Sequence, residues 1–424
     1  MRKLLIATLV IGMALVCVNV NAQERYVGGG FEMAGHIVTG MGYQHQNNKT
    51  NTESENDGDY TTYAGPIGKY LGTAPTTRSD HLSFFVDEIE LDVMKSFGEN
   101  VRLRADIDIA RANSAAAIYP AIVLEQAYAT ANIPIGNGME FLLGRFNAPI
   151  GFESPDVADN DLISKTSLVR ALRPANLTGA KIYYAFSDLV DLHFYAVNSL
   201  TRDSIVKIND MPSWGMRLGF NWGDEGMEST VGISGFFGPE SRMSNKHFTF
   251  GGDLDFNWWV TESFAMGGEV LFRRDDKVTK TTGVALGSNT EYMAGLLNLH
   301  YVFSDVWDGT LRYAFTKQFD NFSGLAAVGT AGTTGYPDPF LGSGLGALMD
   351  LTGVEQTIHE ISLGGSYMIA DGARFKLEGR FDIVKPSKEV QAIINVPISA
   401  GGLIGGIGGT QYTYGAVMAF VYDF

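Results

Sequence analysis

Residues 101–109 read VRLRADIDI. Val101, Leu103, Ala105, Ile107 and Ile109 alternate with Arg102, Arg104, Asp106 and Asp108. A helix would spread these four charges around every face, whereas a strand sorts them by its period of two. The segment therefore reads as a strand with an apolar face and a charged face. Gly98-Glu99-Asn100 just before it makes a tight turn. Beyond that turn, 82–97 sets Ile89, Leu91 and Val93 against Glu88, Glu90 and Asp92. The two segments form a hairpin.

Outward from this hairpin the pattern repeats to both ends. A first strand near 31–43 precedes it. Strand pairs follow at 122–132 with 139–147, 178–186 with 190–198, and 213–222 with 228–237. Further pairs are 246–259 with 263–274, 290–303 with 308–319, and 358–369 with 373–384. A last strand covers 410–424. This predicts an all-β antiparallel fold of sixteen strands, with fourteen or eighteen if one hairpin in 320–357 or 385–409 is misread.

The connections fall into two alternating classes. Short turns rich in Gly, Asp, Ser and Asn occupy 98–100, 134–138, 187–189, 223–226, 260–262, 304–307 and 370–372. Long loops occupy about 46–80, 110–121, 148–177, 199–212, 238–245, 275–289, 320–357 and 385–409. Outer-membrane barrels sort their loops by side in this way and have even strand numbers. An open sheet edge in lipid would leave backbone groups without partners, so closure is required. The expectation is one transmembrane β-barrel over 23–424, with both termini on the short-turn, periplasmic side. Trp222, Trp258, Trp259 and Trp307 lie at strand ends beside the short turns, as interfacial rings do. Trp214 lies towards the long loops.

The terminal QYTYGAVMAFVYDF, residues 411–424, has one alternate set of Tyr412, Tyr414, Ala416, Met418, Phe420, Tyr422 and Phe424. It is expected to face lipid and to close the barrel between 373–384 and the first strand. At the other end Arg2 and Lys3, an apolar Leu4–Val18 and a small-residue exit at Val20-Asn21-Ala22 read as a secretory signal over 1–22. The single cysteine, Cys17, lies inside it. The mature chain would then have no thiol chemistry and no disulfide. No later run is long and apolar enough for a membrane helix. Charged residues make up 18% of the chain, and acidic residues number 47 against 31 basic. That acidity argues against general nucleic-acid binding.

If the apolar sets face lipid, the alternate sets line the interior. This nominates Arg102, Arg104, Asp106, Asp108, Arg145, Asn147, Arg217, Asp253, Asp255, Arg273, Arg312 and Arg380 as pore-lining or constriction candidates. Asp156 and Asp159 join them from the loop 148–177, which is the candidate to fold inward and narrow the pore. A barrel of sixteen strands is wide enough for an aqueous channel unless something fills it. Passive diffusion of small hydrophilic solutes or ions is the function that follows most directly. A structural or adhesive barrel is the alternative. None of His36, His45, His81, His193, His247, His300 and His359 has a Ser or carboxylate motif beside it, so no catalytic site is read. Glu53, Glu55, Asp57 and Asp59 read as a solvated acidic loop rather than a metal site. The glycine pairs at 401–409 lack the helix and lysine a nucleotide site needs. No cofactor or metal is expected.

Leu124-Glu125-Gln126-Ala127-Tyr128, then Gly144-Arg145-Phe146-Asn147-Ala148-Pro149-Ile150-Gly151-Phe152-Glu153 and Thr178-Gly179, resemble the family called Putative beta-barrel porin-2 across about 80–200. Similar strands in phosphate-selective porins keep an anion-selective branch open, although no dedicated ladder of basic residues is evident. The ending Phe420, Tyr422 and Phe424 resembles the signal read by the barrel-insertion machinery. The resemblance implies a Gram-negative outer membrane with its lipid and lipopolysaccharide as surroundings. It also implies small hydrophilic solutes as cargo, and similarity to general porins implies a homotrimer.

Overall fold

In the computed structural model, the described residues are 30–47, 80–111, 121–200, 209–240, 245–246, 248–276, 289–319, 356–386 and 411–424. The predicted signal segment, the acidic 53–59 and the glycine pairs of 401–409 lie outside them. The strands are β1 (Phe31–Asn47), β2 (Asp80–Phe97), β3 (Val101–Arg111), β4 (Ala121–Ile133), β5 (Met139–Asn147) and β6 (Asn176–Ala185). They continue with β7 (Val190–Val197), β8 (Ser213–Trp222), β9 (Ser229–Pro239), β10 (Phe248–Thr261) and β11 (Phe264–Asp275). The last are β12 (Thr290–Ser304), β13 (Trp307–Phe319), β14 (Gln356–Ala370), β15 (Ala373–Pro386) and β16 (Gln411–Asp423).

Each strand pairs antiparallel with its sequence neighbours, and β1 pairs with β16 to close the barrel. The sixteen strands and the closing partner are those the alternation predicts. At the seam Thr39 lies opposite Phe420 and Met41 opposite Met418. Beyond the ladder, Gly35 and Phe424 exchange two backbone hydrogen bonds of 3.0 and 2.9 Å. Tyr422 lies opposite Ala373, the first residue after the 371–372 turn, so the chain ends on the short-turn side.

The two faces separate as the period of two requires. On β11, Val270 and Phe272 are exposed while Glu269, Leu271 and Arg273 are buried. The same division holds at Leu254 against Asp253 and Asp255, and at Leu377 against Lys376 and Glu378. The exposed set forms an apolar belt that includes Leu297, Leu311, Leu363 and Tyr414. A belt of this extent is what lipid would cover, and a soluble monomer rarely shows one. No helix among the described residues is long and apolar enough to cross a membrane; the strands do the crossing.

Bulges in β2 and β4 interrupt the simple alternation. Val38 pairs with Glu88 but Thr39 with Val86, so Asp87 is an extra residue in β2. Asp106 pairs with Gln126 but Ile107 with Leu124, so Glu125 is an extra residue in β4. Such bulges re-aim side chains. Here Asp87 and Glu88, and Glu125 and Gln126, are all buried although adjacent in sequence. Trp222, Trp258 and Trp307 are exposed near the short turns as expected. Trp259 differs. It shares the inward parity of Asp255 and packs edge-on to His300, with centroids 6.1 Å apart.

Candidate functional site: the inward loop and the charged wall

The connection between β5 and β6, residues 148–175, determines the interior. Its sequence is broken by Pro149, Pro155 and Pro174 and cannot extend either strand. The entry is fixed by glycine. Gly144 has φ 141°. A Cβ there would meet the Ala127 carbonyl oxygen at 2.2 Å. Beside it Arg145 Nε donates to the Leu124 carbonyl at 2.8 Å. The Asn147 N–H donates to Gln126 Oε1 at 2.9 Å. The chain then turns at Gly151, φ 86°, where any side chain would meet Arg173 and Glu269.

From there the segment runs across the lumen and touches wall after wall. The Gly151 N–H reaches Asp255 Oδ2 on β10 at 3.4 Å, and the Phe152 N–H donates to Glu269 Oε2 on β11 at 2.8 Å. The Val157 N–H reaches Glu88 Oε2 on β2 at 3.2 Å. Asn298 Nδ2 on β12 donates to Asp161 Oδ2 at 2.7 Å. The Ser164 N–H donates to Glu378 on β15 at 2.7 Å, and the Ser167 N–H to Glu360 on β14 at 2.9 Å. Leu168–Leu172 form one π-helical turn.

Apolar contacts follow the same route. Leu168, Val169 and Leu172 cluster with Leu271, Tyr292, Ala294, Leu296, Ala314 and Ile358. Val157, Ala158 and Ile163 cluster with Val38, Val417, Ala419 and Val421. The small inward set of β16 is thus apolar because it receives the loop. Ile150 joins a third cluster with Leu142, Phe146, Tyr195 and Phe236. The outward faces of these strands are exposed, so a segment touching this many of them lies inside the barrel.

The sequence-nominated residues divide into those the loop gathers and those it leaves. Arg312 pairs with Glu153 and donates to the Ser164 carbonyl at 2.7 Å. Arg380 pairs with Glu360 and with Asp382 Oδ1 at 2.8 Å, and donates to the Lys165 carbonyl at 3.0 Å. Arg273 pairs with Asp275 at 2.7 Å and donates to the Leu172 carbonyl at 3.1 Å. Arg217 holds Asp255 at 2.6 Å. Asp253 is buried on the same face of β10. Asp156 sits among the carboxylates of Glu88, Glu90 and Glu125. Asp159 is exposed and accepts from Ser154 Oγ at 3.2 Å.

On β3, Asp106 and Asp108 are buried. Arg104 bridges Asp106 at 2.7 Å and Asp92 at 3.3 Å with a side chain 30% exposed. Arg102 stands apart from the loop with its side chain half exposed. Asn147 Oδ1 accepts from Asn176 across the mouth of the loop. Sequence reading missed Glu153, Arg173 and Glu360 as anchors. Their signal was available in part, since Leu162, Ile163, Leu168, Val169 and Leu172 make this stretch too apolar for a wholly solvated loop.

Burial raises the Glu153 carboxyl, but Arg312 and the hydroxyl and N–H of Thr166 outweigh it and hold it below the ordinary carboxylate value. Asp156 goes the other way. Burial, then the carboxylates of Glu125 and Glu88, push it well above that value. The loop therefore carries one carboxyl held ionised and one disfavoured as an anion.

A closed barrel with such a loop inside it is the geometry against which relatives can be judged. Residues 30–395 match the family described as Putative beta-barrel porin-2, OmpL-like. The chain belongs to that family. Similar solved structures are outer-membrane channels and porins. The outer membrane channel DcaP of Acinetobacter baumannii is 11% identical with TM-score 0.58, the match covering 95% of this chain and 100% of that one. The anion-selective porin from Comamonas acidovorans is 11% identical with TM-score 0.52, covering 93% and 99%. OmpT of Vibrio cholerae in its trimer form is 11% identical with TM-score 0.51, also covering 93% and 99%. No curated protein matches the sequence. At these identities the likeness is one of fold, and this porin-2 family member is a large transmembrane β-barrel of the outer-membrane porin type.

Proposed function

We propose that this porin-2 family protein is a non-enzymatic, water-filled channel for passive diffusion of small hydrophilic solutes or ions across the outer membrane. Both termini and the short turns face the periplasm in this reading. The observation that carries it is the loop 148–175, which packs against β10–β16, β1 and β2 while Arg102 and Arg104 on β3 keep solvent-exposed surface. A loop that takes up one side of the lumen narrows a wide barrel without closing it. The remaining passage would run past β3, with Arg102, Arg104 and their partners Glu32 and Asp92 as its exposed wall. Its mixed charge supports a weakly selective pore more than a dedicated anion path. The reading includes a homotrimer, as in the trimer form of OmpT, checked by sedimentation in detergent.

Stepwise conductance in planar bilayers, with reversal potential in asymmetric KCl, tests the channel. Absence of steps from a folded, heat-modifiable preparation overturns it. The dry packing of the loop favours a second reading as a structural or surface-adhesive barrel, and that result would select it.

A further inference from the structure

Four carboxylates converge where β2, β4 and the inward loop meet. They are Glu88 and Glu90 of β2, Glu125 of β4 and Asp156 of the loop. One oxygen of each lies within 4.8 Å of the others. Glu88, Glu90 and Glu125 are 1%, 3% and 1% exposed. Glu88 is already engaged, accepting His36 Nε2 at 3.0 Å and the Val157 N–H at 3.2 Å. Glu90 is different. Its buried Oε2 has no hydrogen-bond partner among the described residues, and His36 Nε2 stands off at 3.9 Å. Glu125 Oε2 and Asp156 Oδ1 are likewise buried without a hydrogen bond. Carboxylates crowded this closely, with buried oxygens left unpartnered, repel one another and are costly unless a cation is shared between them.

We propose that Glu88, Glu90, Glu125 and Asp156 bind a calcium-class divalent cation that ties the loop to the barrel wall. The donors are all oxygen, the chemistry of hard cations rather than of zinc or copper. Ca–O distances of about 2.3–2.6 Å put ligands on opposite sides of one ion about 4.6–5.2 Å apart, which suits this cluster. Calcium accepts the irregular arrangement that three separate segments impose, whereas magnesium demands a near-ideal octahedron. His36 holds one oxygen of Glu88 and so orients that carboxylate. The bulge in β4 has a use in this light. It turns Glu125 inward beside Gln126, into a cluster that would otherwise gain only repulsion.

The site stands apart from the diffusion reading and is tested by binding, not conductance. The full chain is refolded in detergent without lipopolysaccharide, stripped with EDTA and titrated with CaCl2 by calorimetry. The wild type should bind one more calcium per chain than the Glu90→Gln/Glu125→Gln variant. Its heat-unfolding midpoint should rise with calcium while the variant's stays fixed, and magnesium should act more weakly in both measurements. A variant with Glu53→Gln, Glu55→Gln, Asp57→Asn and Asp59→Asn should keep the wild-type response. Wild type without calcium binding at millimolar concentration overturns the proposal, whether or not the first variant folds. Equal stoichiometry in the wild type and the folded first variant overturns it too, as does loss of binding in the 53–59 variant.

Discussion

Glu378 on β15 accepts the N–H of Ser164 at 2.7 Å, across 214 positions of sequence. It also accepts the Ser164 hydroxyl and lies 3.6 Å from Arg312. One wall carboxylate thus grips a loop backbone that has no strand to pair with. Glu88, Glu269 and Glu360 repeat the arrangement on β2, β11 and β14. Backbone N–H groups away from water need acceptors, and here the wall supplies them as side chains.

Replacing Glu360 and Glu378 by leucine removes these acceptors and leaves Arg380 with Asp382, and Arg312 with Glu153, as the one carboxylate partner of each. Each lost acceptor leaves a buried donor at about 1–3 kcal/mol. Heat unfolding followed by gel mobility should show a lower midpoint, and single-channel records should become noisier as the loop loosens. Quiet wild-type traces from the double variant would remove the anchoring role.

Arg312 and Glu153 form a pair with both side chains 3% exposed. Arg312→Met leaves a buried carboxylate without its cation, a change worth about 3–5 kcal/mol. Adding Glu153→Gln should recover part of that loss. A double variant no more stable than Arg312→Met, measured by urea unfolding, would argue that the pair is not coupled.

The depressed Glu153 carboxyl fixes a sign for pH. A carboxyl whose folded value lies below its unfolded one, about 4.3, stabilises fully above that value and progressively less as pH falls through the folded one. The barrel should therefore lose loop anchoring in acid, and Glu153→Gln should flatten the stability profile on that limb. An unchanged acid limb in the folded variant would count against the linkage.

Shortening the loop by deleting 155–172 should raise single-channel conductance several-fold, because its apolar clusters leave the lumen with it. Unchanged conductance in a folded deletion would show that the passage runs elsewhere.

Val270 sits midway along β11 on the exposed face. Val270→Arg should cost about 2–4 kcal/mol in a bilayer. Removal of Phe424, whose backbone pairs with Gly35, should lower assembly yield while leaving the conductance of assembled barrels unchanged. Unfolding in liposomes and heat-modifiable band intensity measure the two effects.

Most of the wall was legible because lipid on one side and water or charge on the other impose a strict period of two. The hairpin at 98–100 and the faces of β3 follow from that alone. The bulges at Asp87 and Glu125 did not, since an extra residue leaves composition unchanged and only the partner strand reveals it. Trp259 was misjudged for a related reason: nearness to a turn does not fix parity. The loop's apolar residues hinted at burial, but their partners on β11–β16 lie a hundred or more positions away, beyond any local pattern.

Val157 and Ala158 rest against Val38 of the first strand and Val417, Ala419 and Val421 of the last. Their seat does not exist until the two ends of the chain meet. The interior segment precedes most of the wall in sequence, yet this part of it has a complete seat only once the barrel is closed. Sealing the wall and completing this corner of the lumen are therefore one event.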